Sequence, residues 1–435
     1  MQLYSTSNKD LRVSFRQAVF NSLPADKGLY MPVTIPVLDA YFIQHLQQYT
    51  LQEIAFKIAS ALIGDDVPGD DLHKIVNGAI DFEAPVRPLD SGTAVLELFH
   101  GPSLAFKDFG ARFMSRIMAF LSQDDDRVLD VLVATSGDTG GAVALGFLGV
   151  PGTRVTILYP KGKVSPVQEM QLTTNGHNIR AVEVDGTFDD CQALVKEAFN
   201  DEELKSVFRL TSANSINIAR LIPQTFYYFY AYAQLQAQGI REVVFSVPSG
   251  NFGNIGAGLL AYKMGLPVKQ FIAATNVNDT VPRFLQSGRY EPRPSVQTLA
   301  NAMDVGNPSN WVRIMDLFDG NEEILKQIVS SYTATDAETR EAIRSLSDRY
   351  DYTACPHTAI AWLATANYRK QNPGEYATVF LATAHPCKFP EVFPRDIAAR
   401  IVAPQQVSLL EGREKQVTAL GTDFESFKSY LLRNR

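Results

Sequence analysis

The stretch "GPSLAFKDFG" (101–110) sets Lys107 between Phe106 and Phe109, with Asp108 directly after it. An ammonium in such surroundings is expensive unless it is paired, neutralised or used chemically. Pairing with Asp108, or a stem that carries the charge out to water, would satisfy it without any function. A second stretch, "PSGNFGNIGAG" (248–258), follows the apolar run "REVVFSV" and leads into "LLAYKMG". Its glycines at 250, 253, 256 and 258 let main chain close around phosphate oxygens, and a helix start adds partial positive charge. The spacing is neither GxGxxG nor GxxxxGK[ST], so neither a dinucleotide fingerprint nor a Walker loop is supported. A third run, "ATVFLAT", stops at Thr383 before "AHPCKFP". A hydroxyl there can cap its own turn, or it can face a ring nitrogen, donating or accepting as needed.

A lysine, a phosphate cup and a strand-end hydroxyl are the parts needed to hold pyridoxal phosphate through an imine. Imine formation replaces a poorly solvated ammonium by a covalent link, so the apolar setting of Lys107 becomes useful. "TSGDTGG" (135–141), after "VLDVLVA", adds hydroxyls and free N–H groups at a helix start, which suit a carboxylate; an ordinary capped strand-to-helix turn looks the same. The six histidines show no metal-binding spacing. His100, His357 and His385 read as core or supporting groups near these motifs. "FYYFYAYAQL", from Phe226, reads as a packed aromatic helix.

The elements that must position these residues follow an α/β pattern. "VLDVLVA" (128–134), "RVTILYP" (154–160), "REVVFSV" (241–247), "QFIAAT" (270–275) and "ATVFLAT" (377–383) are short apolar runs. Stretches long enough for crossover helices separate them, which predicts largely parallel sheets. Ligands then gather beyond the carboxyl ends of the strands, where the three loops above lie. Residues 1–90 read as mostly helical, and a helix is expected to begin near Phe109. The last strand lies far along the chain from its expected neighbours, so the sheet is assembled discontinuously. The chain has 435 residues, enough for two or three domains. A net charge of −7 and no basic run exclude nucleic acid as the default partner. Three scattered cysteines fit a reducing compartment. The polar start and the lack of any apolar run near about 18 residues point to a cytoplasmic enzyme with no membrane segment.

"ELFHGPSLAFKDFGARFM", "ATSGDTGGAV", "SANSINIARL", "SVPSGNFGNIGAG", "AATNVNDTVPRFL", "NAMDVGNPSNW" and "ATAHPCKFP" occur in this order, after the opening "VSFRQAVFNSLPADKGLYMP". Together they resemble the threonine synthases of bacterial and fungal type, over about residues 1–395. The resemblance implies the fold of the tryptophan synthase β-subunit: an N-terminal helical region (1–93), a large cofactor-binding domain (94–127 and 216–435) and a smaller α/β domain (128–215). It implies a carbon–oxygen lyase with pyridoxal 5'-phosphate as cofactor, working on O-phospho-L-homoserine as monomer or homodimer. By motif match, Lys107 takes the Schiff-base position. Gly250, Asn251, Phe252, Gly253 and Asn254 match the loop for the cofactor phosphate, and Thr383 matches the residue facing the pyridine nitrogen. Thr135, Ser136, Asp138 and Thr139 match the loop near the substrate carboxylate and the ring hydroxyl. Ser215, Asn217 and Arg220 match a region that receives the substrate phosphate.

The implied reaction gives L-threonine and phosphate, the last step of threonine biosynthesis. It needs local cations in an acidic protein, and Arg220 can fork onto phosphate oxygens. Lys161 and Lys163 are further candidates, equally readable as solvated loop lysines. Asp138 looks misplaced beside a carboxylate and reads as a partner to the ring hydroxyl or the backbone, its protonation open. A related dehydratase or phospho-lyase releasing a 2-oxo acid would use the same parts. A phosphate-ligand binding protein without catalysis would need neither Lys107 nor Thr383.

Overall fold

The computed structural model describes residues 1–435. Three sheets organise the chain. β1 (Gln2–Ser5), β2 (Asn8–Ser14) and β3 (Tyr30–Pro32) form a small antiparallel sheet in the order β2-β1-β3. This sheet is absent from the helical reading of residues 1–90. Its alternation (Leu3 and Ser5 buried, Leu11 and Val13 half-buried) is too short to stand out beside helical spacing. The helix Leu51–Ile63 is as expected: Thr50 and Glu53 close a capping box, and Ile54, Ile58 and Leu62 face the core.

The large sheet contains β4 (Val86–Asp90), β5 (Thr93–Glu97), β10 (Val243–Pro248), β11 (Gln270–Thr275), β12 (Val329–Thr333) and β13 (Ala377–Ala382), in the order β12-β11-β10-β13-β5-β4. All pairings are parallel except that of the edge strand β4. β13 inserts between β10 and β5, the discontinuity expected from the sequence. The small sheet contains β6 (Leu129–Ala134), β7 (Thr153–Pro160), β8 (Ile179–Val184), β9 (Arg209–Ser212) and β14 (Thr418–Leu420), all parallel, in the order β14-β8-β7-β6-β9. β6, β10 and β13 are buried along their whole length, as strands covered by helices on both faces must be.

Residues 418–433 lie elsewhere than expected. Instead of belonging with the large sheet, β14 pairs with β8, and the helix Phe424–Arg433 buries Phe427, Tyr430 and Leu431 against the small sheet's core. The tail supplies apolar cover that the helices between β6 and β9 leave undone. The expected aromatic helix forms as Phe226–Gln236 and is buried on nearly every side. Close packing beside it depends on Gly258, where a Cβ would stand 2.6 Å from Phe271 and 2.8 Å from Tyr228.

Candidate functional site

The chain leaving β5 returns as the helix Lys107–Leu121, which starts at Lys107 itself, two residues before the expected point. The intervening loop is stitched to the end of β13. Phe106 N–H donates to Thr383 O at 2.9 Å, His385 N–H donates to Leu104 O at 3.0 Å, and Ala105 bridges Ala384. Lys107 and Thr383 are thereby held side by side, although the sequence separates them widely. The Lys107 Nζ donates to Thr139 Oγ1 at 2.7 Å. Burial lowers this amine to about 8; Asp138 works against that shift, and Arg220 and Lys388 add to it. Asp108 is no partner of Lys107. Its Oδ2 accepts from Ser103 N–H at 2.9 Å, and burial pushes its carboxyl up to about 6. The Thr383 hydroxyl is buried and takes no hydrogen bond from the chain.

Beyond β10 the main chain turns sharply at Phe252, whose φ of 59° is left-handed, and enters the helix Gly253–Lys263. For a bulky residue that conformation costs on the order of 1–2 kcal/mol, and it aims the preceding amides inward. The N–H groups of Gly250, Asn251, Phe252, Gly253, Asn254 and Ile255 donate to nothing in the chain. Asn251 braces the turn: its Nδ2 donates to Ser215 Oγ at 2.8 Å, and its Oδ1 accepts from Ser309 N–H at 2.6 Å. Asn254 Oδ1 accepts from the hydroxyls of Tyr227 and Tyr228, both at 2.7 Å, while its buried Nδ2 has no partner. The aromatic helix is core, as expected, but two of its hydroxyls also set this amide.

The loop after β6 is shaped by Thr135, whose Oγ1 accepts from Gly137 N–H (3.0 Å) and Gly140 N–H (2.8 Å). That hydroxyl is spent on the loop rather than on a ligand. The N–H groups of Ser136, Asp138 and Thr139, and the Ser136 hydroxyl, are left free. Asp138 is ionised: its Oδ1 lies 2.8 Å from Lys388 Nζ and accepts from Gln168 Nε2 at 3.0 Å. Burial alone would raise its carboxyl, but Lys388 and Lys107 overcome this and hold it well below the usual carboxylate range.

After β9, Ser215 and Arg220 face the site and Asn217 does not. Asn217, expected to meet substrate, is fully buried as a helix cap: Oδ1 accepts from Ala219 N–H at 3.0 Å, and Nδ2 donates to Val19 O and Ser22 Oγ at 2.8 and 2.9 Å. Ser215 Oγ receives Asn251, so it supports the glycine-rich turn. Arg220 is 3% exposed; Nη1 donates to Ala213 O and Nε has no partner. Burial lowers its guanidinium to about 10, against the pull of Asp108. Gly110 makes room for it, since a Cβ there would sit 2.7 Å from Nε. Lys161 and Lys163 are exposed. His100 meets Glu97 at 2.9 Å, and His357 and His385 accept main-chain N–H groups of Ala302 and Cys387 at 3.2 Å.

Sequence reasoning missed Lys388, Gln168 and Arg313. Lys388 had a signal, a lysine in the apolar "AHPCKFP" that mimics the setting of Lys107. Arg313, two residues beyond "NPSNW", is buried and donates to Ser215 O, Ile216 O and Asn310 Oδ1, and Asn310 Nδ2 in turn donates to Asn251 O, which ties the turns after β9 and β10 together.

Six unpaired amides, an orphaned Asn254 donor, an unpartnered strand-end hydroxyl and a near-neutral lysine fit the phosphate, the ring nitrogen and the aldehyde carbon of pyridoxal phosphate. Comparison with known proteins agrees. The family described as "Pyridoxal-phosphate dependent enzyme" matches residues 91–384, "Threonine synthase N terminus" matches 2–80, and "Threonine synthase, C-terminal" matches 358–431. A threonine synthase of Escherichia coli (strain K12) is 47% identical over 409 residues, covering 94% of each chain. The crystal structure of threonine synthase from Escherichia coli superposes with a TM-score of 0.91 at 45% identity and covers all of both chains. The pyridoxal-phosphate-bound threonine synthase from Brucella melitensis gives 0.93 at 35% identity, covering 100% of this chain and 99% of that one.

Proposed function

The chain belongs to the threonine synthase family of pyridoxal-phosphate enzymes, and from that premise we propose how its residues divide the work of turning O-phospho-L-homoserine and water into L-threonine and phosphate. A single observation carries the reading: the Lys107 amine, lowered to about 8, lies on Thr139 beside the unpartnered Thr383 hydroxyl. When bound, pyridoxal phosphate supplies the electron sink for deprotonation at Cα and Cβ. Lys107 carries the coenzyme and, once displaced by substrate, takes the proton from Cα; an amine near neutrality can accept and return protons at ordinary pH. Gly250, Asn251, Phe252, Gly253 and Asn254 hold the coenzyme phosphate through main-chain N–H groups and the Asn254 amide, with the helix start adding its field. Thr383 meets the ring nitrogen with a neutral hydroxyl, which does not enforce ring protonation. Ser136 and the free N–H groups of Ser136, Asp138 and Thr139 take the substrate carboxylate. Arg220, with an unspent donor, takes the substrate phosphate and stabilises its departure from Cγ before water adds at Cβ. Thr135 and Ser215 act by shaping the loops that bear these groups.

The enzyme acts on a small molecule, and no helix is long and apolar enough to cross a membrane. An acidic chain with three free cysteines supports cytoplasmic action as a monomer or homodimer without nucleic acid. Incubation with O-phospho-L-homoserine is expected to release phosphate and threonine in equal amounts. Release of 2-oxobutanoate and ammonia in place of threonine overturns the reading in favour of a lyase.

A further inference from the structure

Lys388, in the loop after β13, is fully buried and takes no part in the scheme above. Its Nζ donates to Ser103 O and to Asp138 Oδ1, both at 2.8 Å. It thus joins the loop before Lys107 to the loop after β6, across the two parallel sheets. Desolvation offsets most of what a buried ion pair contributes to stability, so the pair is weak as a purely structural device. Its position suggests another use. Thr139, which receives the Lys107 amine, is the residue after Asp138.

The ionisable groups around that amine come from several elements. Asp138 lies on the helix Asp138–Phe147, Arg220 on the helix Ile218–Leu221, and Lys388 in the β13 loop. Asp108, on Lys107's own helix, is turned to Ser103. His357, on the helix Pro356–Gln371, is held neutral with its pKa near 4, and the nearby Cys355 thiol is pushed up by burial. Asp138 is the one carboxylate that favours a charged Lys107. We propose that Lys388 is a positioning residue for the reaction: by engaging Asp138 in a buried ion pair it weakens that carboxylate's hold on Lys107, shifting the amine on Thr139 toward the uncharged form that can take a proton. The inference rests on Lys107 being the amine that carries the coenzyme. The direction of each neighbour's influence agrees: Asp138 raises the Lys107 pKa, while Arg220 and Lys388 lower it.

The test is a pH titration of the holoenzyme's visible absorption, together with the pH profile of kcat, for wild type, Lys388→Met, Asp138→Asn and the double variant. Lys388→Met frees Asp138 to pair with the nitrogen of Lys107, so its titration moves alkaline by about one pH unit. Asp138→Asn leaves cations alone around that nitrogen, so its titration moves acid by a similar amount. The double variant lies between the two, and Lys388→Arg falls closer to wild type than Lys388→Met does. A residue that served the fold alone would lower activity in both single variants without opposite displacements. If Lys388→Met does not fold, the acid displacement of Asp138→Asn and its reversal in the double variant carry the same contrast. Borohydride reduction followed by peptide mapping separates the two levels of failure. Coenzyme fixed at a residue other than 107 overturns the assignment of Lys107 and this inference with it. Coenzyme fixed at 107, with displacements equal in sign or absent, overturns the role of Lys388 alone.

Discussion

Asn254 offers a single-residue test of the phosphate cup. Two tyrosine hydroxyls claim its Oδ1, so the orientation of the amide is fixed and Nδ2 must point the other way, buried and unpartnered. A buried donor without an acceptor costs about 1–3 kcal/mol, which an anionic ligand would recover. Asn254→Ala is expected to weaken pyridoxal phosphate binding about tenfold, and Asn254→Asp, which turns a carboxylate toward the phosphate, by about a hundredfold or more. Equilibrium titration by visible absorption measures both; equal affinities in all three proteins would remove Asn254 from the cup. At this scale the sequence was legible where a residue's type is costly unless it is used, as with Lys107 among phenylalanines. It was not legible where a side chain does equally well as a cap or as a ligand. Asn217 is such a case, because an Asn ahead of a short helix reads the same either way. Lys388 was hidden because its meaning depends on Asp138, remote in sequence and adjacent only in space.

Elements carry the site by where strands end. The loops after β5, β6, β9, β10 and β13 all emerge from carboxyl ends, the rule for open parallel sheets, and the apolar runs foretold this for β6, β10 and β13. β8, β9 and β12 did not show, because "IRAVEV", "RLTS" and "VSSYT" dilute the apolar signal with polar residues. Two predictions belong to elements. A Cβ at Gly250 would lie 2.6 Å from Met303 Cα and 2.8 Å from Ala302 O, main-chain atoms that cannot swing away. Gly250→Ala should therefore displace the turn, abolish coenzyme retention on gel filtration and lower the melting temperature even without coenzyme. Retention of the coenzyme at wild-type level would show that the turn has slack. The tail gives the second. β14 pairs with β8, and Phe427, Tyr430 and Leu431 are buried in the small sheet's core. At about 1.5–3 kcal/mol for each large apolar side chain, its removal costs a sizeable part of a domain's stability. Deleting residues 417–435 is expected to give a chain whose small sheet is protease-sensitive while the large sheet's fragments survive. Uniform resistance to limited proteolysis would contradict this. Nothing in the tail's own composition announces its sheet, since a three-residue edge strand has no period to read.

The whole molecule sets opposed titrations against each other. Burial pushes His357 and His385 down to about 4, and the Lys388 charge adds to both shifts. Burial also pushes the carboxyls of Asp108 and Asp304 up to about 6, although Asp304 is hydrogen-bonded by Thr298 and Asn276. For each histidine the unfolded chain takes a proton near pH 6.5 and the folded chain only near 4. The stability of the neutral form is therefore complete above about 6.5 and is lost as pH falls toward 4. For each of these aspartic acids the order is reversed. The folded form takes its proton near 6 and the unfolded form near 3.9, so stability is gained as pH falls through the same window. The two pairs cancel between about pH 6.5 and 4, and single replacements should unmask them. His385→Gln removes one histidine liability, so its melting temperature rises relative to wild type as pH falls from 6.5 to 4. Asp304→Asn removes an acid-side gain, so its melting temperature falls relative to wild type over the same interval. Each difference amounts to about 1–2 kcal/mol at the acid end. Below about pH 4 the sign is common to all variants, because the unfolded chain protonates Asp138 near 3.9 while the folded chain keeps it charged against Lys388, so the stability of that pair is lost as pH falls further. Melting curves of the holoenzyme at half-unit pH steps test the pattern, and difference curves that are flat, or that share one sign above pH 4, would refute it.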